Sequence, residues 1–382
     1  MTNPVVRELA SRLGPEELPA YAYDLAGLRE HVAGIRAELD GGGGPEILYA
    51  AKANPDEPVL RAVAPYVHGI EVASGGELRH VRTALPEARI AFGGPGKTDA
   101  ELRLALDLGV ERIHVESPYE LRRLADLADP GRGADVLLRL NLPGGREGAA
   151  LAMSGPFGMD PVLINDCLPI LADHPHLRLR GVHAHPASGL EAEAMVEQTA
   201  QILAWARPWL AAAGVDRPEY NVGGGMAVDY SDHGRLFDWA AYTKGVSQLP
   251  APGETLRIEP GRAITVYHGW YLTDVLDVKT AHGLTYAILR GGTHHFRTPV
   301  TKGHDQPFTV IGAHGRGPAA EGLPVTLVGQ LCTPKDVFAR DRRVDRIAVG
   351  DRVVFAMAGA YAWNISHHGF LMHPEPGFHY LG

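Results

Sequence analysis

At 382 residues, 45% of them hydrophobic, the chain is long enough to bury about two domain cores. Lys and Arg number 36 against 45 Asp and Glu, a net charge of −9 with no basic cluster, which excludes a nucleic-acid footprint. Only Cys167 and Cys332 occur, far apart, and neither a basic-then-apolar leader nor a run of about 18 apolar residues is present. Disulfide frameworks, zinc-type cysteine spacing and a membrane partner are thereby excluded, and a soluble protein of the reducing cytoplasm is expected.

In chain order, Gly41 to Gly44 reads as a flexible loop. Short apolar strand candidates then alternate with helical stretches: 47–51, 69–73, 89–92, 112–116, 136–141, 179–185, 218–222 and 255–258. Helices with apolar residues at three- and four-residue spacing are expected at 77–85, 99–108, 118–127 and 191–213. Repeated β-α units with parallel strands follow, enough of them for a barrel, although a doubly wound open sheet shows the same alternation. From about Trp270 the texture becomes β-rich, at 270–278, 284–289, 308–311, 325–328 and 352–357, with a second loop from Gly312 to Gly322. A second, all-β domain is the natural reading.

Chemistry concentrates at the ends of the barrel-type strands. Lys52 is a lone basic residue at an apolar strand end, Ile47-Leu48-Tyr49-Ala50-Ala51-Lys52. An amine in an apolar setting has its charged form disfavoured and is available to form a Schiff base with an aldehyde, whereas a snorkelling strand-end lysine is the plainer alternative. Gly223-Gly224-Gly225 and Glu259-Pro260-Gly261-Arg262 each follow a strand and bring anion-binding backbone and a guanidinium fork. An amine with a phosphate cradle points to pyridoxal 5′-phosphate. His183 and His185 alternate along one strand face, a pair able to bind zinc, yet without an acidic or cysteine third ligand nearby in the sequence.

These segments resemble the fold type III pyridoxal-phosphate decarboxylases, the ornithine, arginine and diaminopimelate decarboxylase family. The likeness rests on Tyr49-Ala50-Ala51-Lys52-Ala53-Asn54, Glu71-Val72-Ala73-Ser74-Gly75-Gly76-Glu77-Leu78, His183-Ala184-His185, Gly223-Gly224-Gly225, Glu259-Pro260-Gly261-Arg262, Cys332 with Asp336, and Gly359-Ala360-Tyr361. Residues 92–98, 290–293, 328–340 and 359–368 are most similar to the siderophore-pathway branch, which acts on a citryl-diaminopropionate conjugate.

The resemblance implies a (β/α)8 TIM-like barrel over 24–262 and a β-rich domain made of 1–23 and 263–382. It implies Lys52 as the Schiff-base lysine, Glu259 at the ring nitrogen and His185 stacked on the ring. Ser188, Gly223, Gly224, Gly225, Gly261, Arg262 and Tyr361 are implied as cofactor contacts. Ser188 sits in His185-Pro186-Ala187-Ser188, where the family usually carries His-x-Gly-Ser, so its hydroxyl is open to displacement. Cys332 is implied as the acid that protonates the substrate carbanion from the neighbouring subunit of a homodimer with shared active sites. Asp336 would meet the distal end of the substrate, with Arg297 and His294 as further substrate contacts, and Glu71 and Glu77 line the cofactor without an assigned role. A citryl-diaminopropionate-like substrate is expected. Free diaminopimelate, ornithine or lysine is the alternative, and racemisation is disfavoured because Glu259, in place of an arginine, stands at the ring nitrogen. A non-enzymatic, single-barrel cofactor carrier is disfavoured by the β-rich final third.

Overall fold

A computed structural model describes residues 3–142, 149–152, 155–312 and 317–382. They form two compact units, one made of Arg29–Val228 with Phe237–Ala263, the other of Met1–Leu28, Asp229–Leu236 and Ile264–Gly382.

The first unit is a closed barrel of eight strands: β1 (Glu46–Ala50), β2 (Gly69–Val72), β3 (Ile90–Phe92), β4 (Arg112–Val115), β5 (Ala134–Arg139), β6 (Leu177–His183), β7 (Glu219–Asn221) and β8 (Thr255–Ile258). All neighbours are parallel, and β8 returns to β1 with Ile258 opposite Ile47, which rules out the open doubly wound sheet. Each strand corresponds to an expected apolar run, as parallel strands covered on both faces require. Helix starts are written locally. After β2, β3 and β4 the chain reads Ser74-x-x-Glu77, Thr98-x-x-Glu101 and Ser117-x-x-Glu120, and in each case the hydroxyl accepts the N–H of the residue three positions on. These caps begin the helices Gly75–Ala84, Asp99–Asp107 and Pro118–Leu127 directly at the C-terminal mouth of the barrel.

The opposite mouth is an ion lattice. Arg257 reaches Glu46 (2.9 Å), Glu111 (3.1 Å) and Glu219 (3.2 Å), while Arg112 bridges Glu219 and Asp135, and Arg89 bridges Glu46 and Glu111. Arg257 is buried, so its charge depends on those carboxylates, and losing one partner of such a network is costly.

Gly41 to Gly44 is corrected from a loop: the helix Leu25–Gly42 runs into it. A Cβ on Gly42 would lie 2.3 Å from Thr243 Cγ2, so the glycine permits close packing. Gly43 has φ +67° and the Gly44 N–H reaches Leu39 O at 2.7 Å, a Schellman-type stop.

The second unit is mostly sheet, in the order Phe308–Ile311, Arg352–Phe355, Gly269–Ala281, Leu284–Leu289, Pro324–Val328, Val337–Arg343. Ala20–Asp24 pairs antiparallel with Gly269–Ala281 and parallel with Gly377–Leu381. Asp229–Leu236 belongs with this unit, where Tyr230 stacks on His304 at 4.1 Å. Within the expected loop Gly312 to Gly322, Ala319–Glu321 is a strand paired with Arg346–Ala348, and residues 313–316 lie outside the described residues.

Two glycine substitutions separate packing from backbone freedom. A Cβ on Gly181 would stand 1.8 Å from the Glu219 carbonyl oxygen across the β6–β7 pair, whereas one on Gly34 meets nothing within 4 Å. In urea unfolding, Gly181→Ala should lose about 1–3 kcal/mol or more. Gly34→Ala, in a helix interior, should gain roughly 0.5–1 kcal/mol. Equal midpoints for the two variants would contradict this packing.

Candidate active site

Lys52 sits on the single turn Ala51–Ala53 that follows β1, between two buried alanines. Its amine is not in the apolar setting read from the sequence. The side chain is 44% exposed and Nζ donates to Glu71 Oε2 at 2.7 Å, from the end of β2. The Glu71 carboxyl is pushed up to about 7 by burial, with Lys52 pulling the other way. A lysine and a carboxyl that titrates near neutrality therefore share one hydrogen bond.

Glu259 follows β8 and is buried. Asn221 Nδ2 donates to its Oε1 at 2.8 Å, and His183 Nε2 lies 3.2 Å from its Oε2. Burial raises the Glu259 carboxyl, but His183, His114 and Lys52 together outweigh it and hold the group well below the usual carboxylate range. An ionised carboxylate only accepts, so His183 carries its proton on Nε2. His114, from β4, stacks on His183 with centroids 4.3 Å apart and is driven well below the ordinary imidazole value, chiefly by burial.

The sequence shows no acidic neighbour for the histidine pair, and the fold supplies one. The ligand atoms of His114, His183 and Glu259 lie within 4.8 Å of one another, a spacing a metal ion is able to bridge. His183 and His185 nonetheless have separate partners. The Gly224 N–H donates to His185 Nδ1 at 3.1 Å, and Nε2 lies 3.1 Å from Ser188 Oγ. Burial first, then Lys52, lowers the His185 imidazole to about 3, so it is neutral, with Nδ1 accepting and Nε2–H donating to Ser188. The Ser188 hydroxyl accepts that bond and keeps its own proton to offer to an anion.

Backbone approach fixes the glycines. Gly223 and Gly225 have φ +70° and +101°, and Cβ atoms on Gly223, Gly224 and Gly225 would stand 2.4 Å from His185 Nδ1, 2.2 Å from Glu259 O and 2.5 Å from Ala187 O. The turn bearing Gly261 and Arg262 packs against the Lys52 turn: Ala50 N–H donates to Pro260 O at 3.2 Å, and a Cβ on Gly261 would meet Ala53 Cβ at 2.8 Å. A further support was not read from the sequence. Lys97 is buried and donates to Gly94 O (2.8 Å), His114 O (2.7 Å) and Glu120 Oε1 (2.7 Å), tying the turn after β3 to β4. Its signal was a lysine in the glycine-rich turn Gly93-Gly94-Pro95-Gly96.

In the sheet unit, Cys332 is exposed. Asp336 is buried, and its oxygens accept the Thr293 N–H (2.6 Å) and the Leu331 N–H (2.8 Å), so it clamps its own loop to the one bearing His294. Arg297 Nη1 donates to Ile365 O at 3.2 Å. Tyr361 is held at φ +51°, a conformation uncommon for an aromatic residue, and its carbonyl accepts the Thr298 hydroxyl.

A half-exposed amine, a glycine cradle, a neutral imidazole and a buried ionised carboxylate at the C-terminal mouth of one barrel fit pyridoxal phosphate. That arrangement defines a pyridoxal-phosphate enzyme built on a parallel barrel with an accompanying sheet unit. The chain belongs to the pyridoxal-dependent decarboxylases: residues 25–266 match the family described as "Pyridoxal-dependent decarboxylase, pyridoxal binding domain". It is 40% identical, over 100% of its length and 98% of the relative's, to 2-((L-alanin-3-ylcarbamoyl)methyl)-2-hydroxybutanedioate decarboxylase of Staphylococcus aureus. It is 29% identical to an L-glutamyl acyl-carrier-protein decarboxylase of Niallia circulans, covering 94% of this chain and 88% of that one. The crystal structure of Helicobacter pylori diaminopimelate decarboxylase complexed with L-lysine superposes with TM-score 0.86 at 25% identity, covering 98% and 93% of the two chains. The protein is a pyridoxal-phosphate-dependent decarboxylase. Among the described residues no helix is long and apolar enough to cross a membrane.

Proposed function

We propose that this enzyme removes the α-carboxylate of the diaminopropionate end of a citryl conjugate, a step in making a carboxylate-rich siderophore precursor. The observation that carries this reading is the 40% identity over the whole chain to the staphylococcal enzyme. Its substrate name describes a hydroxy-dicarboxylate joined through an amide to an alanine side chain. A second support is chemical: Thr333 and Lys335 follow Cys332, an environment that suits anions better than a distal ammonium. Asp336 favours an ammonium only weakly, because it is buried and each of its oxygens already accepts one backbone N–H.

In this reading Lys52 would hold the cofactor, and Gly223 to Gly225, Ser188, Gly261, Arg262 and Tyr361 would hold its phosphate. When bound, pyridoxal phosphate supplies a conjugated ring that accepts the electron pair left at the substrate α-carbon as CO2 departs. Glu259, kept ionised by Asn221 and its histidines, would hold a proton at the ring nitrogen. The same carboxylate is then committed, which favours this role for the buried cluster over a metal ion. His185, neutral, would support the ring, and its Nε2–H donates to Ser188, whose own hydroxyl proton would be left for the phosphate. Glu71, in contact with the Lys52 amine, exchanges a proton with it as substrate enters and leaves. Cys332, supplied by the second subunit of a homodimer, returns a proton to the α-carbon, a transfer for which a thiol is suited.

Glu259→Gln holoenzyme should still have cofactor fixed onto Lys52 by borohydride, while turnover falls by about 10²- to 10⁴-fold. A near-normal rate would remove Glu259 from the ring nitrogen, and a label mapped to another lysine would remove Lys52 from its role. Mixing inactive Lys52→Ala and Cys332→Ala proteins should restore part of the activity, since a hybrid dimer holds one intact composite site; none after proven subunit exchange would sink the shared site. Finally, CO2 release from the citryl conjugate should exceed that from ornithine, lysine, diaminopimelate and diaminopropionate, and faster release from any of these free amino acids would overturn the substrate while sparing the decarboxylase.

A further inference from the structure

Two segments of the sheet unit bring together histidines that the cofactor chemistry does not use. His294 is buried, and neither of its ring nitrogens has a hydrogen-bond partner among the described residues. Leaving both polar atoms of a buried side chain unpaired is costly, so such a group calls for an explanation. Its ring faces three others: His295 at 3.8 Å between centroids, His373 at 5.2 Å and His367 at 6.5 Å.

The surrounding rings are braced. His295 lies 2.8 Å from Pro374 O and 3.2 Å from the Tyr271 hydroxyl, His373 meets Gln330 at 3.0 Å, and His368 stacks on Trp363 at 3.6 Å. Exposure rises from His294 and His295 to His367 and His368, so the cluster opens to solvent at one end. Its rings do not have the spacing of a metal site; among the described residues only His114, His183 and Glu259 do. Arg297 adds a fixed positive charge beside His367. Asp336 is the nearby carboxylate, and its oxygens are occupied by backbone N–H groups. The basket therefore gathers several groups able to carry positive charge around the single buried carboxylate of Asp336.

We propose that this histidine basket receives the two carboxylates at the far end of the substrate, a hydroxy-dicarboxylate arm, and takes up protons as it binds them. The inference rests on the citryl reading above and assigns the residues that would recognise that arm. In the ligand-free protein the charged forms of His294, His295 and His367 are disfavoured. Burial, then the neighbouring histidines, lower His294 to about 3, and burial lowers His295 to about 4 and His367 below its ordinary value. Around them, Arg297 opposes protonation of His367 and Asp336 favours it, while Tyr271 and Gln330 remain neutral bond partners. An entering polycarboxylate reverses the balance, raising the imidazoles and turning neutral contacts into charge-assisted hydrogen bonds. The sign follows: the complex holds more protons than the free enzyme, so binding strengthens as pH falls and weakens as pH rises.

The test uses full-length holoenzyme with citrate as the probe, by calorimetry at one pH in two buffers of different ionisation enthalpy, beside KM measurements for the citryl conjugate across pH. Wild type should bind citrate with proton uptake. His294→Gln should weaken citrate and raise KM by about 10-fold or more, as expected for losing one charge-assisted hydrogen bond, with a smaller proton uptake and a larger effect on KM than on kcat. His367→Gln, at an exposed position, should act in the same direction and decides the matter if the first variant fails to fold. Citrate binding without proton uptake, no citrate binding, or KM values and pH slopes unchanged in both variants would overturn the basket. A wild-type enzyme that prefers a free diamino acid yet binds citrate with proton uptake would overturn the substrate reading and leave the basket standing.

Discussion

The site depends on keeping one carboxylate charged inside a barrel. Glu259 follows the strand that closes the cylinder, where burial alone would neutralise it. Its compensation comes from three other strands: His114 from β4, His183 from β6 and Asn221 from β7. None is near Glu259 in sequence, and they converge because the sheet is closed and its strand ends are in step. The charge in turn fixes the His183 tautomer, and through it an ordered stack of two imidazoles.

The two mouths of the barrel use ionic groups in opposite ways. At the C-terminal mouth each charge has few partners, and several groups titrate far from their usual values, with Glu71 brought near neutrality. At the other mouth, Arg89, Arg112 and Arg257 each satisfy two or more carboxylates, and the outcome is structural. Activity and stability are thus divided along the barrel axis, as in barrels whose chemistry sits at the strand C-termini.

The barrel was legible because strands buried on both faces appear as short apolar runs, and all eight runs became strands. The ends were less legible. The run through His185 stops pairing at His183, since the next residues turn to meet the glycine cradle. In the sheet unit, Val337–Arg343 and Gly377–Leu381 went unread, and Ala20–Asp24 was assigned to the β-rich domain only by resemblance, because each depends on a partner distant in sequence or carries mixed polarity. The motifs picked out Lys52, Glu259 and the glycines, which the fold gathers at one mouth of the barrel. The ion pair of Lys52 with Glu71, the His114 stack and the bracing by Lys97 arise from strand adjacency, which no local pattern encodes.

The sheet is sewn from strands made at very different times. Ala20–Asp24 pairs with Gly269–Ala281, Ala20 lying opposite Leu272, and the whole barrel is encoded between them. During synthesis the early strand emerges with its partner still untranslated and must stay unpaired until the barrel has been made. Such pairing carries a high contact order, which slows the final assembly and leaves a strand edge open in the meantime. Tyr21, fully buried in the finished sheet, is an aromatic side chain that the nascent chain must keep from other partners until its own arrives.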